Sequence, residues 1–256
     1  MNEATVALIP ARMQSQRFPG KPLADLAGMP MVVQCARHAA AAGLDTWVCS
    51  DSDAIIQVCE RWNLKAILTG DFPTGTDRCT WAAEQLGVTR LVILQGDEPL
   101  IDAQALACFA KALDACDDAN TILNGVSPIS PSAAQDCGNV KAVTLRGGRI
   151  CYLSRMPVVS ETEPTPSATP PQAAATTHFK QLGLYGGRLT TFQAFQALGS
   201  CALECAESIE MMRWLAADLP LRALVLETAG ISVDTPADLE AARQVLLAER
   251  GERRLS

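Results

Sequence analysis

The alternation of short apolar runs with helical patterns is the feature that most constrains the fold of this chain. The apolar runs lie at 5–10, 45–51, 65–70 and 89–101, and the predicted helices lie at 29–44, 53–64, 75–87 and 102–117. The run LVIL at 91–94 has no polar interruption, which is typical of a strand buried on both faces of a sheet. Strands that alternate with helices over short connections predict an α/β fold with a mainly parallel sheet.

The second half of the chain has a different pattern. Segments 121–129, 139–155 and 179–188 read as strands and hairpins, and the sequence RGGR at 146–149 reads as a glycine turn. Residues 157–178 are rich in Pro, Thr and Ala and show no periodicity, so we predict a flexible loop at 157–177.

The C-terminal part predicts a helix at 207–218, a strand at 221–227 and a helix at 235–250. In the last helix Thr235 is a natural N-cap, with Pro236 in the first helical position and Asp238 two residues later. No internal repeat or clean boundary interrupts the chain, so we expect one domain over 1–256.

Composition excludes several classes of function. The formal net charge of −7 argues against a nucleic-acid partner or an anionic membrane surface. The ten cysteines form no C-x-x-C pair, so we expect buried reduced thiols rather than disulfides or a zinc site. The two histidines, His38 and His178, leave little for a Ser-His-Asp hydrolase. No signal-like segment or membrane-length apolar run is present, which predicts a cytoplasmic protein.

The loop after the first strand concentrates positive charge in an acidic chain. It carries Arg12, Arg17 and Lys21, and Gly20 allows close approach of the backbone to a ligand. Loops at the carboxyl edge of a parallel sheet bind ligands, and these cations suit phosphate oxygens. A solvated basic turn is the alternative, and the loop matches neither a Walker A nor a dinucleotide-binding pattern.

Acidic residues follow two other predicted strands. Asp97 and Glu98 follow the strongest strand, and Asp234 lies between a short apolar segment and the last helix. Hard carboxylate oxygens beside phosphates suit Mg²⁺, although each acid could instead cap a neighbouring helix. For the helix at 102–117, Asp102 is a better N-cap than Asp97 or Glu98. Together with Arg12 and Lys21, Asp97 and Asp234 predict a nucleoside triphosphate site with one shared magnesium ion.

Several motifs resemble one enzyme family, the 3-deoxy-manno-octulosonate cytidylyltransferases, or CMP-Kdo synthetases. The motifs are IPARMQSQRFPGKPL, SD, TGTDR, LQGDEP, LSRMP, LGLYGGR, ESIEMMRWL and VDTPADL, in family order from about residue 5 to residue 245. The resemblance implies a three-layer α/β/α nucleotidyltransferase fold, CTP as donor, Mg²⁺ and a 2-keto-3-deoxy sugar acid as acceptor. It also implies a CMP-sugar and pyrophosphate as products, a homodimer, a role in lipopolysaccharide or capsule synthesis, and an acceptor and dimerisation subregion at about 120–195.

The resemblance also assigns residues to roles. Catalysis is implied for Arg12, Lys21, Asp97 and Asp234, and the last two would hold Mg²⁺. Nucleotide binding is implied for Pro10, Ala11, Arg12, Arg17, Lys21, Ser50, Asp51, Thr74 and Gly75. Contact with the sugar acid is implied for Arg78, Gln95, Arg155, Gln181, Tyr185 and Glu210.

Three departures from the family pattern fall on the acceptor side. Phe72 and Gln181 stand where the family has histidines, and Thr74 replaces a serine. The aromatic and cationic pattern that follows the LSR motif is here MPVVSETEPTPSA. These departures predict a variant acceptor, such as 8-amino-Kdo, with the CTP and metal side intact.

Two other functions remain open at this point. One is a nucleotidyltransferase that acts on a different acceptor, such as a sugar phosphate or an alditol phosphate. The other is a non-catalytic nucleotide-binding module on the same fold, although the presence of Lys21 and Asp97 disfavours it.

Overall fold

The computed structural model describes residues 4–14, 17–158, 178–228 and 231–255. Its strands are β1 (Val6–Ala11), β2 (Asp25–Leu26), β3 (Met29–Pro30), β4 (Asp45–Ser50), β5 (Lys65–Leu68), β6 (Arg90–Leu94), β7 (Ile122–Pro128), β8 (Lys141–Thr144), β9 (Ile150–Ser154), β10 (Phe179–Arg188) and β11 (Leu221–Val225). Its helices are α1 (Met31–Ala41), α2 (Asp53–Arg61), α3 (Gly75–Leu86), α4 (Ala103–Asp114), α5 (Pro131–Ala134), α6 (Leu189–Leu198), α7 (Ala202–Glu207), α8 (Met212–Ala216) and α9 (Pro236–Leu255), with a 3₁₀ turn at Lys21–Leu23.

One large mixed sheet organises the described residues. Its strand order is β11-β7-β10-β6-β1-β4-β5, and the β8–β9 hairpin joins it through β10. β1 is parallel to both β4 and β6, β4 is parallel to β5, and β11 is parallel to β7. Strand β10 runs antiparallel to β6 and β7. The predicted α/β fold with a mainly parallel sheet is therefore confirmed, and the strands at 122–188 extend the same sheet.

Helices cover both faces of this sheet. Alternate residues of β1 enter different cores, because successive side chains of a strand point to opposite faces. Ala7 and Ile9 join a core with residues of α1, α2 and α4. Val6 and Leu8 join the other core with residues of α3, α6 and α8. The result is a three-layer α/β/α arrangement.

Two predicted elements have different bounds in the structure, for reasons that the local chain geometry shows. The first helix begins at Met31 rather than residue 29, because Met29 and Pro30 pair with β2 across a two-residue turn. Ala27 and Gly28 in that turn both have positive φ, which is the geometry of a tight hairpin turn. The strand predicted at 89–101 ends at Leu94, and the residues after it form a turn.

The helix predicted at 207–218 is confirmed only at α8, Met212–Ala216, because α7 ends at Glu207 and residues 208–211 form a turn between the two helices. Ser208 ends α7 in the left-handed region, with φ of 54°. A turn follows before α8, and it directs Glu210 toward α3, where its carboxylate accepts a hydrogen bond from Thr76. Amphipathic periodicity alone did not reveal this break.

The predicted helix caps are confirmed. The side chain of Asp102 accepts the Ala105 N–H at 2.8 Å at the start of α4. At the start of α9, Asp238 N–H donates to the Thr235 hydroxyl, and the Asp238 carboxylate accepts the Thr235 N–H in return. This reciprocal pair holds the chain directly after Asp234.

The cysteines agree only in part with the expectation of buried thiols. All ten are free, but only Cys35, Cys49, Cys59 and Cys79 are buried. No helix among the described residues is long and apolar enough to cross a bilayer. Apart from residues 157–158, the predicted loop at 157–177 lies outside the described residues.

Replacing Gly186 by alanine tests how tightly α4 packs on β10. A Cβ at Gly186 would lie 2.7 Å from Cε1 of Phe109 and 3.0 Å from Cδ2 of Leu113, both buried. We expect Gly186→Ala to lower the free energy of unfolding by about 1–3 kcal/mol, measured by urea denaturation. Gly70→Ala is the control, since its nearest neighbour would lie at 3.9 Å. Equal stability of the two variants would contradict the packing described here.

Candidate active site

The candidate site lies at the carboxyl ends of β1 and β6. After β1 the chain passes through α1 to β4 on one side, whereas β6 pairs with β1 on the other side. Such a reversal of strand order opens a crevice at the carboxyl edge of an open α/β sheet. The loops that follow β1 and β6 therefore face each other across this crevice.

Two adjoining cavities occupy the crevice. The larger encloses about 610 Å³, which is a typical size for a small-molecule site. It is lined by Pro10, Ala11, Arg12, Gln14, Arg17, Lys21, Pro22, Phe72, Pro73, Thr74, Gly75, Arg78, Gln95, Gly96, Asp97, Ser208, Glu210 and Asp234. The smaller encloses about 220 Å³, and the residues common to both are Arg17, Gln95, Asp97, Ser208, Glu210 and Asp234.

Lys21 lies between the two predicted metal-binding aspartates. Its Nζ is 2.9 Å from Oδ2 of Asp97 and 3.2 Å from Oδ1 of Asp234. Burial opposes the charge on Lys21, but the two carboxylates raise its pKa above the usual value, so it stays cationic. Arg17 adds a second contact to Asp234 at 2.9 Å. The structure therefore brings together both acids and two of the three predicted cations.

The two aspartates fit the chemistry of a magnesium site. Both carboxylates face the larger cavity, and about a third of each side chain remains exposed, 32% for Asp97 and 29% for Asp234. Mg²⁺ usually takes one or two protein carboxylates and completes its octahedron with water and phosphate oxygens. The described residues contain no group of three or more His, Cys, Asp or Glu side chains that could hold a metal.

A small hydrophobic cluster lies under this polar site. Leu100, Val233 and residues of α9 form its core, and Phe18 packs against it. Phe18 precedes Lys21, Leu100 follows Asp97, and Val233 precedes Asp234 in the sequence. The same apolar contacts therefore hold all three loops that carry the charged residues.

Glycines allow the backbones around the larger cavity to approach closely. A Cβ on Gly96 would lie 2.8 Å from the carbonyl oxygen of Pro10, and a Cβ on Gly75 would lie 3.1 Å from both Pro10 and Gln95. Thr74 caps α3 by accepting the Asp77 N–H at 3.0 Å. The N-terminus of α3, with Thr74 and Gly75, therefore borders the cavity and contributes a positive dipole end.

Arg78 is largely committed to contacts within the protein. Its side chain is 3% exposed and pairs with Oδ2 of Asp51 at 2.8 Å. It also donates to the Thr69 hydroxyl and to the Gly70 carbonyl. Asp51 and the buried Ser50 do not line either cavity, and Asp51 is connected to the larger one through its contact with Arg78.

Phe72 occupies the position where the family has a histidine. Its ring lies 5.8 Å from the ring of Trp81, and the guanidinium of Arg78 lies 6.0 Å from the Phe72 centroid. The side chain lines the larger cavity. It presents an apolar surface there and packs against Arg78.

The smaller cavity contains the other residues predicted to contact the sugar acid. Gln95, Arg155, Gln181, Tyr185 and Glu210 all line it. Gln181 is buried and donates to Oδ1 of Asn124 at 2.7 Å. The predicted acceptor residues are thus brought together, with the exception of Arg78, which lines the larger cavity.

Arg155 is a preoriented cation at this cavity. Its Nε donates to the carbonyl of Glu207 at 3.1 Å, and its Nη2 donates to the carbonyl of Ser208 at 3.4 Å. The Glu207 carboxylate accepts the N–H of Arg155 at 3.0 Å and the Ser154 hydroxyl. Among the described residues, no carboxylate lies within ion-pairing distance of the guanidinium of Arg155.

Glu210 and Tyr185 lie in a strongly desolvated part of the site. Burial raises the pKa of Glu210, although a hydrogen bond from the Thr76 hydroxyl at 2.6 Å favours its ionised form. Burial, together with nearby carboxylates, raises the pKa of Tyr185 well above its usual value. Tyr185 is therefore a neutral phenol at physiological pH.

Glu207 and Arg213 are charged residues beside the site that were not among the predicted site residues. Arg213 is buried and makes a two-point contact with Glu204, at 2.9 and 2.7 Å. It also lies 3.5 Å from Asp77 at the start of α3. Glu207 and Arg213 both belong to the quoted motif ESIEMMRWL, so the motif contained a signal. The partners Ser154 and Arg155 of Glu207, and Asp77 beside Arg213, are however distant in sequence.

Comparison with known proteins finds similar sequences over most of the chain. A sequence profile of the family described as cytidylyltransferase matches residues 6–221. The 3-deoxy-manno-octulosonate cytidylyltransferase of Anaeromyxobacter sp. strain Fw109-5 is 38% identical, over 94% of this chain and 96% of that protein. The protein of the same name from Acidovorax sp. strain JS42 is 37% identical, over 93% and 96%.

A solved structure shares the fold over almost the entire chain. It is CMP:2-keto-3-deoxy-manno-octonic acid synthetase in complex with CTP, with a TM-score of 0.83 and 31% sequence identity. The alignment covers 96% of this chain and 99% of that one.

Removing the central cation should destabilise the protein. Lys21→Met leaves two facing carboxylates with only Arg17 nearby, so we expect a loss of about 1–3 kcal/mol in the free energy of unfolding at low salt. Adding Asp97→Asn to that variant should restore stability, because it removes the repulsion. Urea denaturation in EDTA measures both effects. Further destabilisation by the second substitution would contradict the described electrostatics.

Proposed function

Since the chain belongs to the cytidylyltransferase family, and within it to the 3-deoxy-manno-octulosonate cytidylyltransferases, we propose that it transfers the cytidylyl group of CTP to 3-deoxy-manno-octulosonate (Kdo). The products are CMP-Kdo and pyrophosphate. The observation that carries this proposal is the convergence of Asp97, Asp234 and Lys21 where two cavities meet. One cavity suits a nucleotide, and the other suits a small acid.

The larger cavity is the proposed CTP site. Its volume, the loop from Pro10 to Lys21 and the N-terminus of α3 suit a base, a ribose and three phosphates. Arg12 and Arg17 can hold phosphate oxygens in a planar fork, whereas Lys21 supplies a compact charge. These cations stabilise the charge that develops on the leaving pyrophosphate.

Asp97 and Asp234 are the proposed ligands of Mg²⁺. When bound there, Mg²⁺ would neutralise phosphate charge and lower the pKa of the attacking hydroxyl. Lys21 contacts both carboxylates and Arg17 contacts Asp234, so these cations balance the negative charge of the two aspartates. Both cations also line the larger cavity, where they would contact the phosphate oxygens of CTP.

The smaller cavity is the proposed acceptor site. Arg155 is the proposed cation for the sugar carboxylate, because backbone carbonyls hold its guanidinium, which forms no ion pair with a carboxylate of the described residues. Gln95 and Glu210 line both cavities and so border the path along which the acceptor hydroxyl reaches the α-phosphorus. Asp51 supports the proposed site indirectly through Arg78.

Gln181 and Phe72 bear on which sugar acid is used. Gln181 can donate and accept hydrogen bonds, but it cannot carry a proton as histidine does. Preference for a variant such as 8-amino-Kdo stays a prediction, which parallel assays with the two acids would test. The homodimer, the cytoplasmic location and the lipopolysaccharide or capsule pathway also stay predictions from the resemblance.

Pyrophosphate release with and without EDTA tests the proposal against its rivals. We expect release from CTP in the presence of Kdo or a related acid, and loss of activity when EDTA removes the divalent ion. Strong preference for another nucleoside triphosphate would favour a sugar-phosphate nucleotidyltransferase. No turnover with any acceptor would favour a binding module.

Substituting one metal-binding carboxylate should abolish most of the activity. Asp97→Asn is nearly isosteric but weakens metal binding, so we expect kcat to fall by about 10²–10⁴-fold. Asp45→Asn is the matched control. Asp45 begins β4, at the edge of the sheet opposite to the site, and it pairs with Lys65 on the surface. Wild-type turnover by Asp97→Asn would refute the assigned role.

Removing the cation of the smaller cavity should affect the two substrates differently. We expect Arg155→Met to raise KM for the sugar acid at least tenfold and to change KM for CTP by less than threefold, because a charge-assisted contact is lost only on the acceptor side. Arg149→Met, at an exposed pair with Asp218, is the control. A larger change in KM for CTP would mean that the two cavities are assigned the wrong way round.

A further inference from the structure

Glu98 is a buried carboxylate that the proposed reaction does not use. Its residue is only 3% exposed, and burial raises its pKa, whereas the charge of Lys180 acts in the opposite direction. Its Oε1 accepts the Gly183 N–H at 2.9 Å and the Ser232 hydroxyl at 2.7 Å. A buried carboxylate needs such donors, and these two come from different parts of the fold.

The contact with Gly183 fastens the turn after β6 to β10. The regular pairing of β10 with β6 begins at Leu184, so Gly183 lies just beyond it. The carbonyl of Gly183 accepts the Gln95 N–H at 2.7 Å, and its N–H goes to Glu98. A Cβ on Gly183 would lie 2.7 Å from Cβ of Gln95, so only glycine allows this approach.

The contact with Ser232 fastens the same turn to the segment before α9. Val233 N–H donates to the Asp97 carbonyl at 2.8 Å, next to the bond between Ser232 and Glu98. Two adjacent residues of one loop are thus bonded to two adjacent residues of the other. Asp234 directly follows this paired segment.

We infer that Glu98 is a positioning residue that sets the separation of Asp97 and Asp234, and thereby the affinity of the site for a divalent cation. The inference rests on the proposed metal site. Asp97 directly precedes Glu98, and Asp234 lies two residues after Ser232, which donates to Glu98. Loss of the hydrogen bonds to Glu98 therefore loosens both aspartate loops at once. The backbone bond from Val233 and the hydrophobic cluster around Leu100 would keep the fold intact.

Direct measurement of Mn²⁺ binding tests this role independently of turnover. Mn²⁺ replaces Mg²⁺, and free Mn²⁺ is counted by electron paramagnetic resonance in the presence of a non-hydrolysable CTP analogue. The variants are Glu98→Ala, Glu98→Gln and Ser232→Ala. Thr228→Val is the matched control, because its hydroxyl bonds to the same turn, at the Leu100 carbonyl at 3.1 Å, but not to Glu98 or to the segment 232–234.

The expected pattern separates geometry from charge. Loss of an outer partner of a metal ligand typically costs 10–100-fold in affinity, so we expect this loss for Glu98→Ala and about tenfold for Ser232→Ala. Glu98→Gln keeps an oxygen that accepts both bonds, and it should stay within about threefold of wild type, as should Thr228→Val. Urea denaturation of each variant confirms that the fold is retained.

Three results would overturn the inference. Equal weakening by Glu98→Gln and Glu98→Ala would mean that charge, not position, matters. A raised KM for the sugar acid with unchanged Mn²⁺ affinity would make Glu98 an acceptor contact. Failure of the wild-type protein to bind Mn²⁺ would remove the site itself. Wild-type Mn²⁺ binding without turnover of any sugar acid would instead reject only the proposed function.

Discussion

The contact of one lysine with two aspartates is the interaction on which the site depends. Asp97 and Asp234 follow different strands, and two carboxylates this close would repel each other without a cation between them. Lys21 reaches both, at 2.9 and 3.2 Å, and its own loop is thereby held against the other two. The contact therefore balances the charge of the two carboxylates and fixes their positions relative to each other.

Apolar contacts and glycines make this charged arrangement possible. The cluster around Leu100 and Val233 packs directly beneath the three loops, so the cost of ordering them is offset by burial of hydrophobic surface. Gly96 lets the turn after β6 approach the Pro10 carbonyl to a distance that any Cβ would prevent. The hydrophobic cluster and the close backbone packing thus hold the charged loops in place, so the ion pairs are not the only contacts between these loops.

The side chains of the smaller cavity are positioned by further residues that do not themselves belong to the group of charged loops. Arg155 depends on Glu207 and Ser208, which lie where the predicted helix at 207–218 breaks. Glu210 reaches the smaller cavity because of the same break. Arg78 lines the larger cavity instead, and its guanidinium is paired with Asp51. The two residues that depart from the family motif are themselves packed, Phe72 against Arg78 and Trp81 and Gln181 against Asn124. Their effect on substrate binding therefore depends on these neighbours as well as on the residue type.

The sequence by itself determined the α/β class, the parallel core and the caps of α4 and α9. It also placed Arg12, Lys21 and Asp97 at one edge of the sheet, because the carboxyl ends of parallel strands share an edge. Asp234 lies in irregular chain directly before α9, so its convergence with them was decided by the tertiary structure. Only the tertiary structure decided that Arg78 pairs with Asp51, that Ser50 lies outside the cavities, and that Glu98 bonds to Gly183 and Ser232. Local patterns record propensity and periodicity over a few residues. The pairing of buried polar groups depends on which distant segments the packed sheet brings within 3 Å, and no local pattern encodes that distance.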